Sequence, residues 1–261
     1  MKILKGIKWV LRFIHTVIFF TFVFGFIFLS IIPYGVELII GKFNPKLQQT
    51  SSLKFVQWFF RMVLALGGIK LEVEGRENIP DDQAVLYVGN HRSYLDILIG
   101  YVLVKGECGF VAKKEMEKFP VVNLWMKILH CLFLDRENMK EGLKTILKGI
   151  EQVKEGISVW IYPEGTRNKG EEGTLLPFKE GSLKIAEKSG CPVIPVVMTH
   201  AADILENQFP WIEPTKVHVT FGQPVILKDL PKEDRKFAGA YMQKTIQRML
   251  DEELAKQSVE K

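Results

Sequence analysis

The stretch "AVLYVGNHRSYLDILIG", Ala84 to Gly100, decides the reading of the fold. An apolar run ends at Gly89, a polar turn follows from Asn90 to Ser93, and a second apolar run begins at Leu95. That is the pattern of a buried strand feeding a helix. "SYLD" has the spacing of a capping box, with Ser93 as N-cap and Asp96 three residues on. His91 and Asp96 lie five positions apart. On a continuous helix that separation is about 140°, and the two side chains could not meet. They meet if His91 sits on the strand-exit turn and Asp96 in the first helical turn, where the helix N-terminus favours an ionised carboxylate. Such a carboxylate would fix the imidazole tautomer and stabilise the charge formed on proton uptake. Taken alone, the pattern serves a plain polar turn equally well.

The alternation repeats outward from this unit. Strands are expected at 71–75, 84–89, 108–112, 131–135, 158–162, 193–198 and 216–221, and helices at 93–104, 119–129, 138–155, 179–189 and 233–257. Strands alternating with helices argue an α/β domain with a mixed, largely parallel sheet flanked by helices. Near-continuous apolar strands fit a sheet covered on both faces. Functional residues in such sheets gather at the carboxyl ends of strands. Polar clusters fall there: Asn90–Asp96, Asp135–Arg136 and Glu164–Arg167. In "YPEGTR", Pro163 stops the ladder and Gly165 permits a tight turn, which holds Glu164 and Arg167 on a rigid loop. Exposed backbone N–H groups and a guanidinium make an anion site; a turn with a surface salt bridge is the plainer alternative. "FLDR" and "VAKKEM" add Arg136, Lys113 and Lys114, as loop ties, solvated charges or further cations. Pro195 inside "VIPVV" suggests a bulge or an edge strand.

The N-terminus reads differently. "FIHTVIFFTFVFGFIFLSII", Phe13 to Ile32, carries no formal charge beyond a protonatable His15. As a helix of about 30 Å it matches the bilayer core. Lys2, Lys5, Lys8 and Arg12 precede it and place the N-terminus in the cytoplasm. A second segment from Leu53, "LKFVQWFFRMVLALGG", gathers Lys54, Gln57 and Arg61 on one face and is amphipathic. The first helix either spans the membrane or pairs with the second as a hairpin dipping into one leaflet. The hairpin is the expectation, because it keeps both ends inside. Residues 1–67 are thus expected to be a membrane-anchoring two-helix segment and 68–261 the α/β domain. A core helix of the globular part is the plainer reading of the second segment.

The 261 residues are 47% hydrophobic with a net charge of +5, enough for one well-buried domain and a small appendage. That mild positive charge suits an anionic surface or substrate, and no basic block of the nucleic-acid-binding kind occurs. Cys108, Cys131 and Cys191 are widely spaced in apolar runs and read as buried free thiols. No metal-ligand spacing and no glycine-rich nucleotide loop is present, so no metal or cofactor is expected. Ser93 lacks the surroundings of a nucleophile elbow, so covalent catalysis is not expected.

Four blocks, "NHRSYLD", "CLFLDR", "YPEGTR" and "VIPVV", occur in this order. They resemble the sequence blocks of the glycerolipid acyltransferase family, and its bacterial 1-acylglycerol-3-phosphate branch most of all. The similarity runs from about Leu71 to Gly222. Two positions depart from the pattern. His130 stands where the second block usually has glycine, which would alter the backbone or add a polar group near the acceptor. Tyr162 stands where the third block more often has phenylalanine.

The resemblance implies a glycerol-3-phosphate acyltransferase-like fold. It also implies acyl transfer from a thioester, of acyl carrier protein or coenzyme A, to the sn-2 hydroxyl of lysophosphatidic acid in a membrane, giving phosphatidic acid. His91 would be the general base and Asp96 its orienting partner. Glu164, Gly165, Thr166 and Arg167 would bind the glycerol phosphate, with Arg136 and Lys113 adding charge. Backbone N–H groups at the N-terminus of the first domain helix are the candidate oxyanion donors. The implied site lies on the cytoplasmic face. Acylation of glycerol 3-phosphate or another lysophospholipid, a thioester hydrolase and a non-catalytic lipid-binding protein are the alternatives.

Overall fold

The computed structural model describes residues 2–259; the side chains of residues 2–5, including the charges of Lys2 and Lys5, lie outside the described part. The strands are β1 (Lys70–Glu74), β2 (Leu86–Gly89), β3 (Cys108–Lys113), β4 (Leu132–Leu134), β5 (Ser158–Ile161), β6 (Val193–Thr199) and β7 (Lys216–Phe221). They form one sheet in the order β1-β7-β6-β2-β5-β3-β4. Neighbours are parallel throughout except for the antiparallel pair β6–β7. The helices are α1 (Lys2–Leu29), α2 (Ile31–Phe43), α3 (Pro45–Leu66), α4 (Leu95–Leu103), α5 (Val122–Ile128), α6 (Met139–Lys154), α7 (Lys184–Ser189), α8 (Lys232–Lys236) and α9 (Ala238–Val259). The fold class is the expected one.

Side-chain alternation along the strands builds two cores. Tyr87, Trp160, Ile194 and Val196 pack on one face with α1, α3, α4 and α5. Leu86, Val88, Val159, Ile161 and Val193 pack on the other with α6, α7 and α9. The connection leaving β2 enters α4 on the first face, whereas that leaving its neighbour β5 reaches α7 on the second. Adjacent strands whose exits diverge open a crevice at their carboxyl ends. The site is built there.

The apolar N-terminal stretch and the following segment are helical as expected, but in three pieces. A single residue, Ser30, separates α1 from α2, and Asn44 separates α2 from α3, where its side chain caps the amide of Leu47 and Pro45 occupies the first turn. Gly6–Phe43 is long and apolar enough to cross a membrane. Much of it is apolar surface facing outward, including Phe24, Phe28, Ile32 and Phe43. The buried face of α3, with Leu53, Val56, Phe59 and Val63, belongs to the core shared with the sheet. α1 is fastened to the α/β part by the Arg12–Glu213 ion pair, by His15 Nε2 against the Leu66 carbonyl (2.8 Å), and by the Ile212 amide donating to Thr16 Oγ1 (3.2 Å).

Four expectations need correction. The 93–104 helix begins at Leu95 with Tyr94 as its N-cap; Ser93, expected in that role, lies one residue earlier, and its Oγ accepts the Leu95 amide. The 179–189 helix opens as a 3-10 turn, Glu180–Leu183. The 233–257 helix is broken at Phe237, which leaves the helical region (φ −119°, ψ 49°). Pro195 marks neither an edge nor a bulge: β6 lies inside the sheet and pairs Pro195 with Val88. On the β7 side the Gly222 amide donates to the Pro195 carbonyl, beyond the last residue of β7.

Candidate active site

The β2 exit turn brings His91 and Asp96 together. His91 Nδ1 lies 2.8 Å from Asp96 Oδ2, and the same oxygen accepts the amides of Arg92 and Ser93, each at 2.8 Å. The Asp96 side chain is only 1% exposed, while that of His91 is 15% exposed. Two backbone donors and the N-terminus of α4 thus surround this buried carboxylate. Its contact directs the Nδ1 proton toward Asp96 and leaves Nε2 with its lone pair. Nε2 makes no hydrogen bond among the described residues. The imidazole stacks on Tyr162, 4.2 Å between ring centres and 15° from parallel. The ring at position 162, which phenylalanine would supply equally, is the surface on which the candidate base rests, and burial pushes the Tyr162 phenol well up.

Glu164 is 4% exposed, and its two oxygens accept the amides of His91 and Leu176, each at 2.8 Å. A carboxylate so placed braces the His91 turn rather than contacting a phosphate. Burial raises its pKa above the ordinary value, and the two amides oppose that shift. The His91 carbonyl accepts the Asn168 amide at 2.7 Å, so the β2 and β5 exit loops are joined twice.

Gly165 sits at φ +73°, a left-handed conformation. A methyl group built on it would lie 2.9 Å from Lys179 Cε and 4.0 Å from Arg136 Cζ. The turn is thus flanked by two cations, neither with a side-chain hydrogen bond or ion pair among the described residues. Partial burial lowers the Arg136 pKa, against the pull of Glu115. Arg136 and Lys179 are both solvent-exposed, and two cations beside one turn suit an anionic ligand. Two other expected cations are engaged. Arg167 donates to Glu206 (3.0 Å) and lies over the Tyr94 ring at 3.5 Å. Lys113 pairs with Glu115 (2.6 Å) and is 57% exposed. Thr166 is exposed on the loop.

The expected oxyanion donors are spent. The Arg92 and Ser93 amides go to Asp96, that of Tyr94 to Glu206 (2.8 Å), and that of Leu95 to Ser93 Oγ (3.0 Å). His130 precedes β4 and so lies at the opposite end of that strand from Arg136. It adopts φ +59°, the backbone that explains why glycine is usual there.

Four residues at the site escaped the sequence reading. Asn90 grips the amide and carbonyl of Met198 with its side-chain amide, both at 2.8 Å, fixing β2 to β6. Arg92 is 4% exposed; it donates to the Gly170 and Glu171 carbonyls (2.7 and 2.9 Å) and pairs with Glu172 (3.0 Å). Glu206 arrives from a distant 3-10 turn, and Lys179 follows the β5 loop. Asn90 and Arg92 lie inside "NHRSYLD", where a polar residue within an apolar context was the available signal; Glu206 and Lys179 carried none.

The profile of the family described as Acyltransferase matches residues 70–199. The chain is 31% identical over 220 residues to a 1-acyl-sn-glycerol-3-phosphate acyltransferase of Haemophilus influenzae, covering 81% of this chain and 88% of that one. A protein of the same description from Saccharomyces cerevisiae is 29% identical over 195 residues, 74% of this chain, and the match spans 63% of its length. Among solved structures, the 1-acyl-sn-glycerophosphate (LPA) acyltransferase PlsC of Thermotoga maritima superposes with a TM-score of 0.79. Its identity is 28%, covering 94% of this chain and 97% of that one.

Proposed function

The chain belongs to the acyltransferase family, and from that premise we propose that it moves a fatty acyl group from a thioester to the sn-2 hydroxyl of 1-acyl-sn-glycerol 3-phosphate, giving phosphatidic acid. The observation that carries this reading is the 2.8 Å contact between His91 Nδ1 and the buried Asp96 carboxylate, with Nε2 left unbonded. Nε2 takes the hydroxyl proton as the oxygen attacks the thioester carbon. The C–O bond forms, the C–S bond breaks, and the imidazolium returns the proton to the departing thiolate. Asp96 stabilises the imidazolium between these steps. No acyl-enzyme is required. The names of the Haemophilus and yeast relatives support the choice of acceptor.

The acceptor phosphate is placed between Arg136 and Lys179 against the Gly165 turn, with Arg167 and Lys113 at its margin. The carboxyl ends of β2, β5, β3 and β4 are consecutive in the sheet, so His91 and the phosphate cradle share one crevice edge. Residues 1–67 anchor the protein in the cytoplasmic leaflet, where acceptor and product reside. The outward apolar face of α1 and α2 supports this placement. Acyl carrier protein and coenzyme A thioesters are the two donor classes.

The test crosses two acceptors, lysophosphatidic acid and glycerol 3-phosphate, with both donor types. Preferred turnover of lysophosphatidic acid is expected. Turnover of glycerol 3-phosphate alone overturns the acceptor assignment. Fatty acid release at one rate with and without acceptor makes the protein a thioester hydrolase.

A further inference from the structure

The solvent face of α6 has a composition that neither the core nor the crevice explains. Met139, Leu143 and Leu147, at successive four-residue steps, are 90%, 60% and 50% exposed. Lys140, Lys144 and Lys148 follow each of them by one position and form a parallel row. The helix carries four lysines against the two glutamates Glu141 and Glu151. Of these, Glu141 pairs with Lys144 at 2.7 Å. A surface helix ordinarily turns polar residues outward, so an apolar stripe beside a basic one marks a contact surface.

Its position selects the occupant. α6 covers the sheet face opposite α1 and α3, so its solvent side points away from the apolar surface assigned to the membrane. Its first residue, Met139, lies three positions after Arg136, and Asn138 caps the turn, so the stripe starts near the crevice edge. A soluble partner docked there reaches the site, whereas a bilayer covering α1 does not reach α6. The charge complement of the lysine row is an acidic protein surface. We propose that the Met139–Leu147 face of α6 docks a small acidic carrier protein that presents the acyl thioester. This rests on the acyl-transfer reading above and makes acyl carrier protein a donor. The lysine row steers and orients, and the apolar stripe supplies the desolvated centre of the contact.

The experiment compares wild type with Lys140→Gln/Lys144→Gln/Lys148→Gln and, separately, with Leu143→Ser/Leu147→Ser, all substitutions at exposed positions. Each is assayed with acyl carrier protein and with coenzyme A thioesters of the same chain. The expected result is a KM for the carrier donor raised about tenfold in each variant, steeply salt-dependent in wild type and in the leucine variant but not in the lysine variant, with coenzyme A kinetics unchanged. Equal effects on both donors, or none on either, overturn the proposal. Loss of sedimentation with phosphatidylglycerol vesicles in the lysine variant also overturns it, because the stripe would then be a membrane contact. Direct titration of each protein with fluorescent acyl carrier protein reads docking without turnover. If no acyl transfer occurs, weaker binding by both variants still supports the docking face, and equal binding refutes it.

Discussion

Glu206 accepts from Arg167 with one carboxylate oxygen, at 3.0 Å, and from the Ser93 hydroxyl with the other, at 2.7 Å. It thereby ties the β5 exit loop to the turn that carries His91. Glu206→Ala removes both ties and frees the Tyr94 amide. A stability loss of about 1–3 kcal/mol is expected from the partners left unpaired, with a several-fold fall in kcat. Thermal unfolding and steady-state kinetics of the variant check this; an unchanged kcat refutes the coupling of the loops.

The phosphate cradle predicts an ordering among cations. Arg136→Ala and Lys179→Ala should each raise the acceptor KM roughly tenfold, the worth of a charge-assisted hydrogen bond. Lys113→Ala should change it by no more than about twofold, since an exposed, paired lysine contributes little. Acceptor titrations at fixed donor concentration measure all three. A larger effect at Lys113 than at Lys179 moves the phosphate site.

His130 holds a left-handed backbone. His130→Gly relieves a strain of about 1–2 kcal/mol but gives an unfolded chain more freedom, for a net gain of about 0.5–1 kcal/mol. Denaturant unfolding should show that gain with acyl-transfer rates unchanged, as befits a residue at the far end of β4. A drop in activity contradicts the placement.

Burial raises the Glu164 carboxyl above its ordinary 4.5. A raised folded value means that folding favours the protonated form. That stabilisation is fully present below pH 4.5 and is lost as pH rises through the folded value. Glu164→Gln abolishes the titration. The Tm of wild type minus that of the variant should therefore fall as pH rises above 4.5 and then level off. A difference that grows with pH contradicts the burial argument.

The sequence held the strands because each is a short β-rich apolar run, and it held the His91–Asp96 pair because the five-residue spacing suits a strand-to-helix turn. It did not hold strand order, so the divergence of the β2 and β5 exits was invisible. Glu206 reaches the site from 113 positions beyond Ser93, and no local pattern records such a meeting. Arg167 reads as a free cation until Glu206 is seen beside it, and Glu164 reads as a ligand until both its oxygens are found on amides. Of the amides offered as oxyanion donors, those of Arg92, Ser93 and Leu95 are consumed within the turn by Asp96 and Ser93, and that of Tyr94 by the distant Glu206. The amphipathic pattern of α3 fits a core helix and a membrane helix alike; packing against the sheet shows what its buried face does.

The central claim is that His91 Nε2 removes the acceptor proton. The most direct measurement is single-turnover acyl transfer by His91→Ala, with circular dichroism and acceptor binding taken on the same sample. A rate reduced by about 10²–10⁴, with folding and acceptor affinity kept, is the predicted result. A rate within tenfold of wild type would contradict it.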